Sequence, residues 1–174
     1  EGYSHGWSEY LTWIHQRACG SCNLHWKSQK VILIQVFWGP LECGHYAALV
    51  VDRTQKGNYL AVYADSLSTY QPNAMQILKD MLQHTEIGTD KMTWIQAKIP
   101  KQDAGTNDCG VFASCFSLMY VHTLRKMGLF SEETPPELKT PVTSVCLEFP
   151  KDMDAAKFGF HGRKCIAKSA KYGK

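Results

Sequence analysis

Three short apolar segments between residues 30 and 63, separated by turn residues, constrain the fold of this chain most. They are rich in β-branched and aromatic side chains, and each is too short for an independent helix, so we expect three strands. The polar stretch 53–58, which contains a glycine, predicts a hairpin turn between the last two. The segments are Lys30–Trp38, which ends at a Gly-Pro pair, Tyr46–Asp52 and Tyr59–Tyr63.

Two helices and a fourth strand are predicted after these segments. Pro72 suits the first turn of a helix that runs to about His84, with apolar residues at helical spacing on one face. Met92–Ile99 is the fourth strand. Cys109–Met127 is apolar nearly all round and is followed by Gly128, which predicts a central buried helix. This order of elements predicts an α+β fold with a mixed central sheet.

The composition fits one domain, which we place at residues 1–160, followed by a flexible basic tail at 161–174. Hydrophobic residues make up 44% of the 174 residues and charged residues 20%, enough to fill one core. The tail has five basic and no acidic residues, and we interpret it as solvated rather than as a nucleic-acid site. No apolar run approaches the ~20 residues of a membrane span. We expect a monomer.

The cysteine count indicates the compartment. Seven cysteines cannot all pair within one chain, and in a domain of this size they fit a reducing environment better than a disulfide framework. We therefore expect the nucleus or cytoplasm. The chain begins with Glu1 and shows no readable targeting signal, so we interpret it as a cut-out or processed domain.

The segment before the last predicted helix has the pattern of a nucleophile site. Asp108 suits the N-cap, which makes Cys109 the first helical residue. A thiol there lies near the positive end of the helix dipole, which favours the thiolate. The carboxylate of Asp108 opposes this effect, so a separate cation is needed. Gly110 leaves room for a substrate backbone.

A histidine and an acid could complete this site. His45 stands at the start of the second strand, where a rigid element could present its ring, and Asp65 follows the neighbouring strand of the hairpin. Asp52 is a rival acid, although a strand-end turn residue is its simpler interpretation. Gln102 could donate an N–H group to an oxyanion, together with the backbone N–H of Cys109.

These residues occur in an order that resembles the ubiquitin-like-protein protease family. The family includes the SUMO-specific proteases and, more distantly, the adenovirus-type cysteine proteases. The similarity spans roughly residues 30 to 125. The matching motifs are Gly44-His45-Tyr46 before a strand, Tyr63-Ala64-Asp65-Ser66-Leu67, Gln102, and Asn107-Asp108-Cys109-Gly110-Val111-Phe112.

The resemblance implies a papain-like cysteine protease fold in which the nucleophile is carried on a buried helix. It implies a triad of Cys109, His45 and Asp65, with Gln102 in the oxyanion hole. The substrate would be a ubiquitin-like modifier or its conjugates, SUMO first, cleaved after its Gly-Gly tail. Tyr46, Asp108 and Gly110 would then contact the substrate. No metal ion or organic cofactor is implied.

The chain departs from the family pattern at two positions of the site. Family members mostly have Trp directly after the histidine, as a roof over the Gly-Gly tail, where this chain has Tyr46. They usually have Gln six residues before the cysteine, where this chain has Asp103. A one-residue bulge would bring Gln102 into the place of that glutamine.

Other interpretations of the same residues stay open at this stage. A second enzyme class is protein acetyl transfer by effectors that share this fold plan. A third hypothesis is an inactive module that only binds the modifier. A structural zinc ion is a minor alternative, since Cys19, Cys22 and His25 have ligand-like spacing and Cys43 and His45 could add a second pair.

Overall fold

The structure is a computed structural model, and it describes most of the segment between residues 29 and 129, which contains the motifs discussed above. The predicted domain boundary at residue 160, the basic tail and the Cys19, Cys22 and His25 group lie outside the described residues. The described residues are 29–40, 43–67, 71–83, 85, 87, 91–103 and 105–129.

Every strand and helix predicted between residues 30 and 127 is present. Strand β4 ends at Gln96 rather than at the predicted Ile99. Its neighbour β3 ends at Ala64, so β4 has no strand to pair with beyond the hydrogen bond from Ala97 N to Tyr63 O. Strand β2 begins at His45, one residue earlier than predicted. The elements are β1 Val31–Trp38, β2 His45–Asp52, β3 Tyr59–Ala64, α1 Ala74–Gln83, β4 Met92–Gln96 and α2 Cys109–Lys126.

The four strands form one mixed sheet in the order β1-β2-β3-β4. The first three strands are antiparallel, and β4 runs parallel to β3. A parallel pair needs a crossover connection, and α1 lies in the segment that supplies it. The predicted α+β architecture with a mixed sheet is therefore confirmed for the described residues.

Both faces of the central strands β2 and β3 are buried, which explains their nearly continuous apolar character. Alternate residues of β2 point to opposite faces, so one set packs with α1 and the other with α2. Tyr46 is the one exposed residue among the eight of β2, all of them described. The α1 side includes Trp38, Leu49, Tyr63 and Leu78, and the α2 side includes Val50, Leu60, Phe116 and Tyr120.

Helix α2 is less buried than its sequence predicts. Eight of its 18 residues are buried, and they form the side that packs on β2 and its neighbours. The opposite side is partly or fully exposed and includes Leu118. The prediction of a central buried helix therefore holds for the side that packs on the sheet and fails for the other side, where Leu118 and His122 are exposed.

The end of α2 matches the predicted glycine stop. Gly128 adopts a positive φ of 72°, which favours glycine, and its N–H bonds Arg125 O while Leu129 N bonds Leu124 O. These two bonds form a Schellman motif, and both leucines belong to the same core cluster. Within the described ranges, no helix is long and apolar enough to cross a membrane.

Candidate active site

The predicted site residues gather at one end of the sheet. His45 is the first residue of β2, Asp65 directly follows β3, and Gln102 lies in the loop after β4. The start of β2 and the end of β3 lie at the same edge because the two strands are antiparallel. Helix α2 brings Cys109 to this end, since Gly110 lies beside the Tyr46 ring.

His45 and Asp65 form a buried pair. His45 Nε2 lies 2.6 Å from Asp65 Oδ1, and the two side chains are 3% and 1% exposed. The backbone N–H of Leu67 donates to the same oxygen at 2.7 Å, which fixes the carboxylate. A carboxylate only accepts hydrogen bonds, so the histidine proton on this side is carried by Nε2.

The second oxygen of Asp65 is held by Tyr63, whose hydroxyl is in turn held by Trp38. Tyr63 Oη donates to Asp65 Oδ2 at 2.9 Å, and Trp38 Nε1 donates to Tyr63 Oη at 3.0 Å. Burial, and then the neighbouring Asp65 carboxylate, raise the pKa of Tyr63 well above its ordinary value. Tyr63 therefore stays protonated and keeps donating throughout the neutral and moderately alkaline range.

Asp52 is not the partner of His45. It lies at the opposite end of the eight-residue strand β2, roughly 23 Å away at the rise of an extended strand. Its oxygens accept from Tyr120 Oη at 2.8 Å and from Thr54 N and Oγ1 at 2.9 and 2.7 Å. Asp52 thus ties the end of β2 to α2 and to the turn, in agreement with its simpler interpretation.

Gln102 is buried and anchored beside Asp65. Ser66 Oγ donates to Gln102 Oε1 at 2.7 Å, and Gln102 Nε2 donates to the carbonyl oxygen of Thr106 at 3.1 Å. Asp103 is exposed and begins a turn closed by Thr106 N to Asp103 O, with Gly105 at a φ of +85°. The additional residue before Cys109 is accommodated in this loop, and Gln102 rather than Asp103 is the buried side chain.

Cys109 begins α2 as predicted, and the residue is 9% exposed. Asp108 occupies the N-cap position, and its backbone carbonyl accepts the first helical bond from Phe112 N at 2.9 Å. The predicted N-cap position is therefore confirmed, although the Asp108 side chain makes no cap hydrogen bond to the first turn, all of which is described. The N–H groups that precede Phe112 in that turn, including the one on Cys109, lack intrahelical partners.

Two aromatic rings form the wall beside the start of α2. Tyr46 is 41% exposed and packs against Phe37, with ring centroids 4.9 Å apart. A Cβ atom on Gly110 would lie 3.7 Å from Tyr46 Cδ2, so the ring closely covers this glycine. A Cβ atom on Gly44 would lie 2.0 Å from Phe37 Cζ, so a side chain there would displace Phe37 from its place against Tyr46.

The described part of the chain contains no group of three or more His, Cys, Asp or Glu residues that could hold a metal ion. Three of the proposed zinc ligands, Cys19, Cys22 and His25, lie outside that part. Cys43 is an exposed free thiol, and Cys109 and Cys115 are buried free thiols.

Comparison with solved structures shows distant structural likeness. No protein-family model matches the sequence, and no curated protein matches it. A crystal structure of a de-sumoylating protease superposes with a TM-score of 0.41 and 16% sequence identity. The superposition covers 69% of this chain and 44% of that protein, so this chain spans less than half its length. A likeness at this level establishes neither family nor activity.

The sequence alone did not identify the residues that support the site. Tyr63 could have been found, because it precedes Asp65 by two positions and side chains two apart on a strand share a face. Ser66 could not, because its contact with Gln102 joins two loops separated by 36 residues. No spacing rule predicts such a contact.

Proposed function

We propose that this chain is a cysteine protease with the papain-like fold of the ubiquitin-like-protein protease type, and that it cleaves after the Gly-Gly tail of a ubiquitin-like modifier. SUMO is the first candidate modifier. The buried pair of His45 and Asp65, at the end of the sheet where the helix carrying Cys109 begins, is the observation that carries the proposal. The resemblance of the motifs to that family supports it.

The reaction begins with transfer of the Cys109 thiol proton to His45. Because Nε2 faces Asp65, the proton has to pass through Nδ1. The Asp65 carboxylate stabilises the imidazolium that forms and holds the ring in one orientation. The thiolate sulfur then attacks the carbonyl carbon of the terminal glycine of the modifier, and the carbonyl oxygen takes up the negative charge.

That oxygen needs hydrogen-bond donors in place before the attack. The backbone N–H of Cys109 is one donor, because the first N–H groups of a helix have no intrahelical partner. Gln102 Nε2 is the second donor: it carries two hydrogens and gives one to Thr106 O, so the other can serve the substrate.

Collapse of the tetrahedral intermediate breaks the carbon–nitrogen bond. His45 gives its proton to the departing amine, either a lysine side chain or a peptide N-terminus, and a thioester to Cys109 remains. A water molecule then loses a proton to His45 and attacks the thioester carbon. Cys109 leaves as the thiolate, regains the proton from His45, and the modifier departs with a free carboxylate.

The surroundings of Cys109 favour a slender acyl group. Cys109 is only 9% exposed as a residue, and the Tyr46 ring lies beside the neighbouring Gly110. A chain end without side chains could approach such a sulfur, whereas a bulky residue next to the cleaved bond would meet the ring. Two terminal glycines meet this requirement.

Covalent trapping tests the proposal. Ubiquitin, SUMO and related modifiers, each carrying a C-terminal electrophile, are mixed with the protein and with a Cys109→Ala variant. We expect one modifier to form an adduct that the variant does not form. If the folded protein reacts with none of them, the proposed substrate class is wrong.

Turnover separates the proposal from the other hypotheses. An isopeptide-linked conjugate of the trapped modifier should be hydrolysed in the absence of any acetyl donor. Stoichiometric binding without hydrolysis would instead indicate an inactive binding module. Transfer of an acetyl group to a protein, with no hydrolysis of the conjugate, would indicate the acyltransferase.

A further inference from the structure

We infer that Ser66 is a positioning residue that orients the Gln102 side-chain amide so that its N–H group, rather than its oxygen, faces the oxyanion. The inference rests on the proposed function and adds a residue to its mechanism. It follows from one contact, the donation from Ser66 Oγ to Gln102 Oε1 at 2.7 Å.

The amide of a glutamine has two ends of almost equal size and opposite character. The oxygen accepts hydrogen bonds, the nitrogen donates them, and the surrounding network decides which end points where. An oxygen turned towards the oxyanion would repel it, and a nitrogen would stabilise it. The orientation of Gln102 therefore decides whether this residue helps or hinders the reaction.

Two partners fix that orientation together. The carbonyl oxygen of Thr106 can only accept, so it requires Gln102 Nε2 on its side at 3.1 Å. The Ser66 hydroxyl can donate or accept, and in this arrangement it donates to Oε1 and occupies the acceptor. A flipped amide would place two carbonyl oxygens against each other at Thr106.

Burial makes the orientation of Gln102 depend on these two partners. Ser66 is 1% exposed and Gln102 is 8% exposed, so water has little access to replace a missing partner. The backbone also joins the two residues, since Gln102 N donates to Ser66 O at 3.2 Å. Removal of the hydroxyl would leave Oε1 as a buried acceptor without its donor, which favours rotation of the amide or entry of water.

The position of Ser66 in the chain links the two halves of the site. Asp65 and Ser66 are neighbours at the end of β3, and their side chains contact His45 and Gln102 respectively. One short segment thus orients both the proton-transferring ring and the oxyanion donor. Movement of this segment would disturb the two together, whereas loss of the Ser66 hydroxyl alone affects only Gln102.

The kinetic test compares acylation with simple alkylation of Cys109. Attack on a carbonyl develops an oxyanion, but alkylation by iodoacetamide does not. We expect Ser66→Ala to lower kcat about ten-fold with little change in KM, since one buried hydrogen bond is lost. The rate of alkylation and its pH profile should stay as in the wild type. Ser66→Thr, which keeps a hydroxyl, should recover most of the loss.

Ser117→Ala is the matched control. Ser117 is also buried, and it donates its hydroxyl hydrogen to Ala113 O within α2, away from the site. The decisive comparison is made in a Gln102→Ala background, where Ser66→Ala should cause no further loss of kcat. A further loss there, or an equal slowing of alkylation, would mean that Ser66 supports the fold rather than Gln102.

Two readouts do not depend on the modifier. Hydrolysis of p-nitrophenyl acetate also passes through an oxyanion, and the rate of Cys109→Ala is subtracted as background. Activity on this ester but on no modifier would reject the proposed substrate. The effect of Ser66→Ala on ester hydrolysis would still test the role of Ser66. NMR follows the side-chain amide of Gln102, and Ser66→Ala should shift its signals and speed their hydrogen exchange. Unchanged amide signals overturn the inference. A Cys109 that reacts with neither modifier nor ester overturns the inference and the proposed function together.

Discussion

Tyr63 and Asp65, two residues apart at the end of β3, share a hydrogen bond of 2.9 Å from Tyr63 Oη to Asp65 Oδ2. The other oxygen of Asp65 faces His45, so each oxygen of this buried carboxylate has a defined direction. Trp38, at the end of β1 on the far side of β2, donates to the tyrosine oxygen. The acid of the proposed triad is thus held by side chains of the core rather than by solvent.

Tyr63→Phe should weaken both stability and catalysis without abolishing either. Asp65 Oδ2 loses a donor and the Trp38 indole loses its acceptor, which costs about 1–3 kcal/mol of the free energy of unfolding. We expect kcat to fall by about three- to ten-fold, because the carboxylate becomes less well oriented towards His45. Chemical denaturation and steady-state kinetics measure the two effects. Tyr59→Phe, on the same strand, is the control, and an equal loss of kcat there would contradict the role given to Tyr63.

Asp65→Asn should impair turnover far more than Asp52→Asn. The first substitution removes the charge that stabilises the imidazolium, and we expect kcat to fall by about 10²-fold or more. The second affects a buried carboxylate at the far end of β2, so it should lower the free energy of unfolding and leave kcat of the folded protein unchanged. The test is to measure kcat of both variants at a temperature at which both are folded. A comparable loss of kcat in the two would remove the distinction between the acids.

The order of the elements could be predicted because hydrophobic period and turn residues are local properties. The extent of burial could not, and α2 shows why. An apolar sequence such as Cys109–Lys126 is compatible with burial on all sides or with one-sided packing, and Leu118 is exposed. Which case applies depends on how many layers the rest of the chain supplies.

The site was predictable to the same limited degree. The pairing of His45 with Asp65 follows from neighbouring strands whose ends meet, which the hairpin pattern already indicates. The choice of Gln102 over Asp103 depends on a turn in which Gly105 takes a positive φ, and the contact of Gln102 with Ser66 joins segments 36 residues apart. Such loop geometry arises from tertiary packing rather than from residue spacing.

Gln102→Ala and Asp103→Ala give a direct test of the displaced glutamine. If Gln102 is the oxyanion donor, its removal should lower kcat by about 10²- to 10³-fold. The exposed Asp103 makes no contact with the site through its side chain in the loop geometry described, so its removal should change kcat less than about three-fold. The two variants differ by one position, which makes each the control of the other. The reverse order of effects would place Asp103 at the oxyanion.

The alkaline behaviour of two tyrosines is a further prediction. Burial, and then the charges of Asp65 and Asp52 respectively, raise the pKa of Tyr63 and of Tyr120 above the ordinary value. The unfolded chain ionises at the ordinary value and the folded chain does not, so their contribution to stability is present below about pH 10 and is lost as the pH rises further.

Absorbance at the tyrosinate band measures this ionisation. At about pH 11 the folded Tyr63→Phe and Tyr120→Phe variants should show the same tyrosinate signal as the folded wild type, because neither tyrosine has ionised there. In denaturant at the same pH each variant should show a smaller signal than the wild type. A smaller signal in the folded variants would show that these hydroxyls ionise normally.

Gly110→Ala separates folding from function most cleanly. The added Cβ atom would lie 3.7 Å from Tyr46 Cδ2, which is an ordinary contact, and alanine favours a helix over glycine, so the stability should stay equal or rise by up to about 1 kcal/mol. The same methyl group narrows the space beside Cys109 through which a substrate backbone would pass. We expect kcat/KM for the modifier to fall by about ten-fold or more, while alkylation by a small reagent changes little.

Gly110→Ala combined with Tyr46→Ala should recover part of the loss, because the opposing ring is removed. A Gly110→Ala variant of full activity would contradict the narrow approach to Cys109, and with it the argument that only a glycine tail fits.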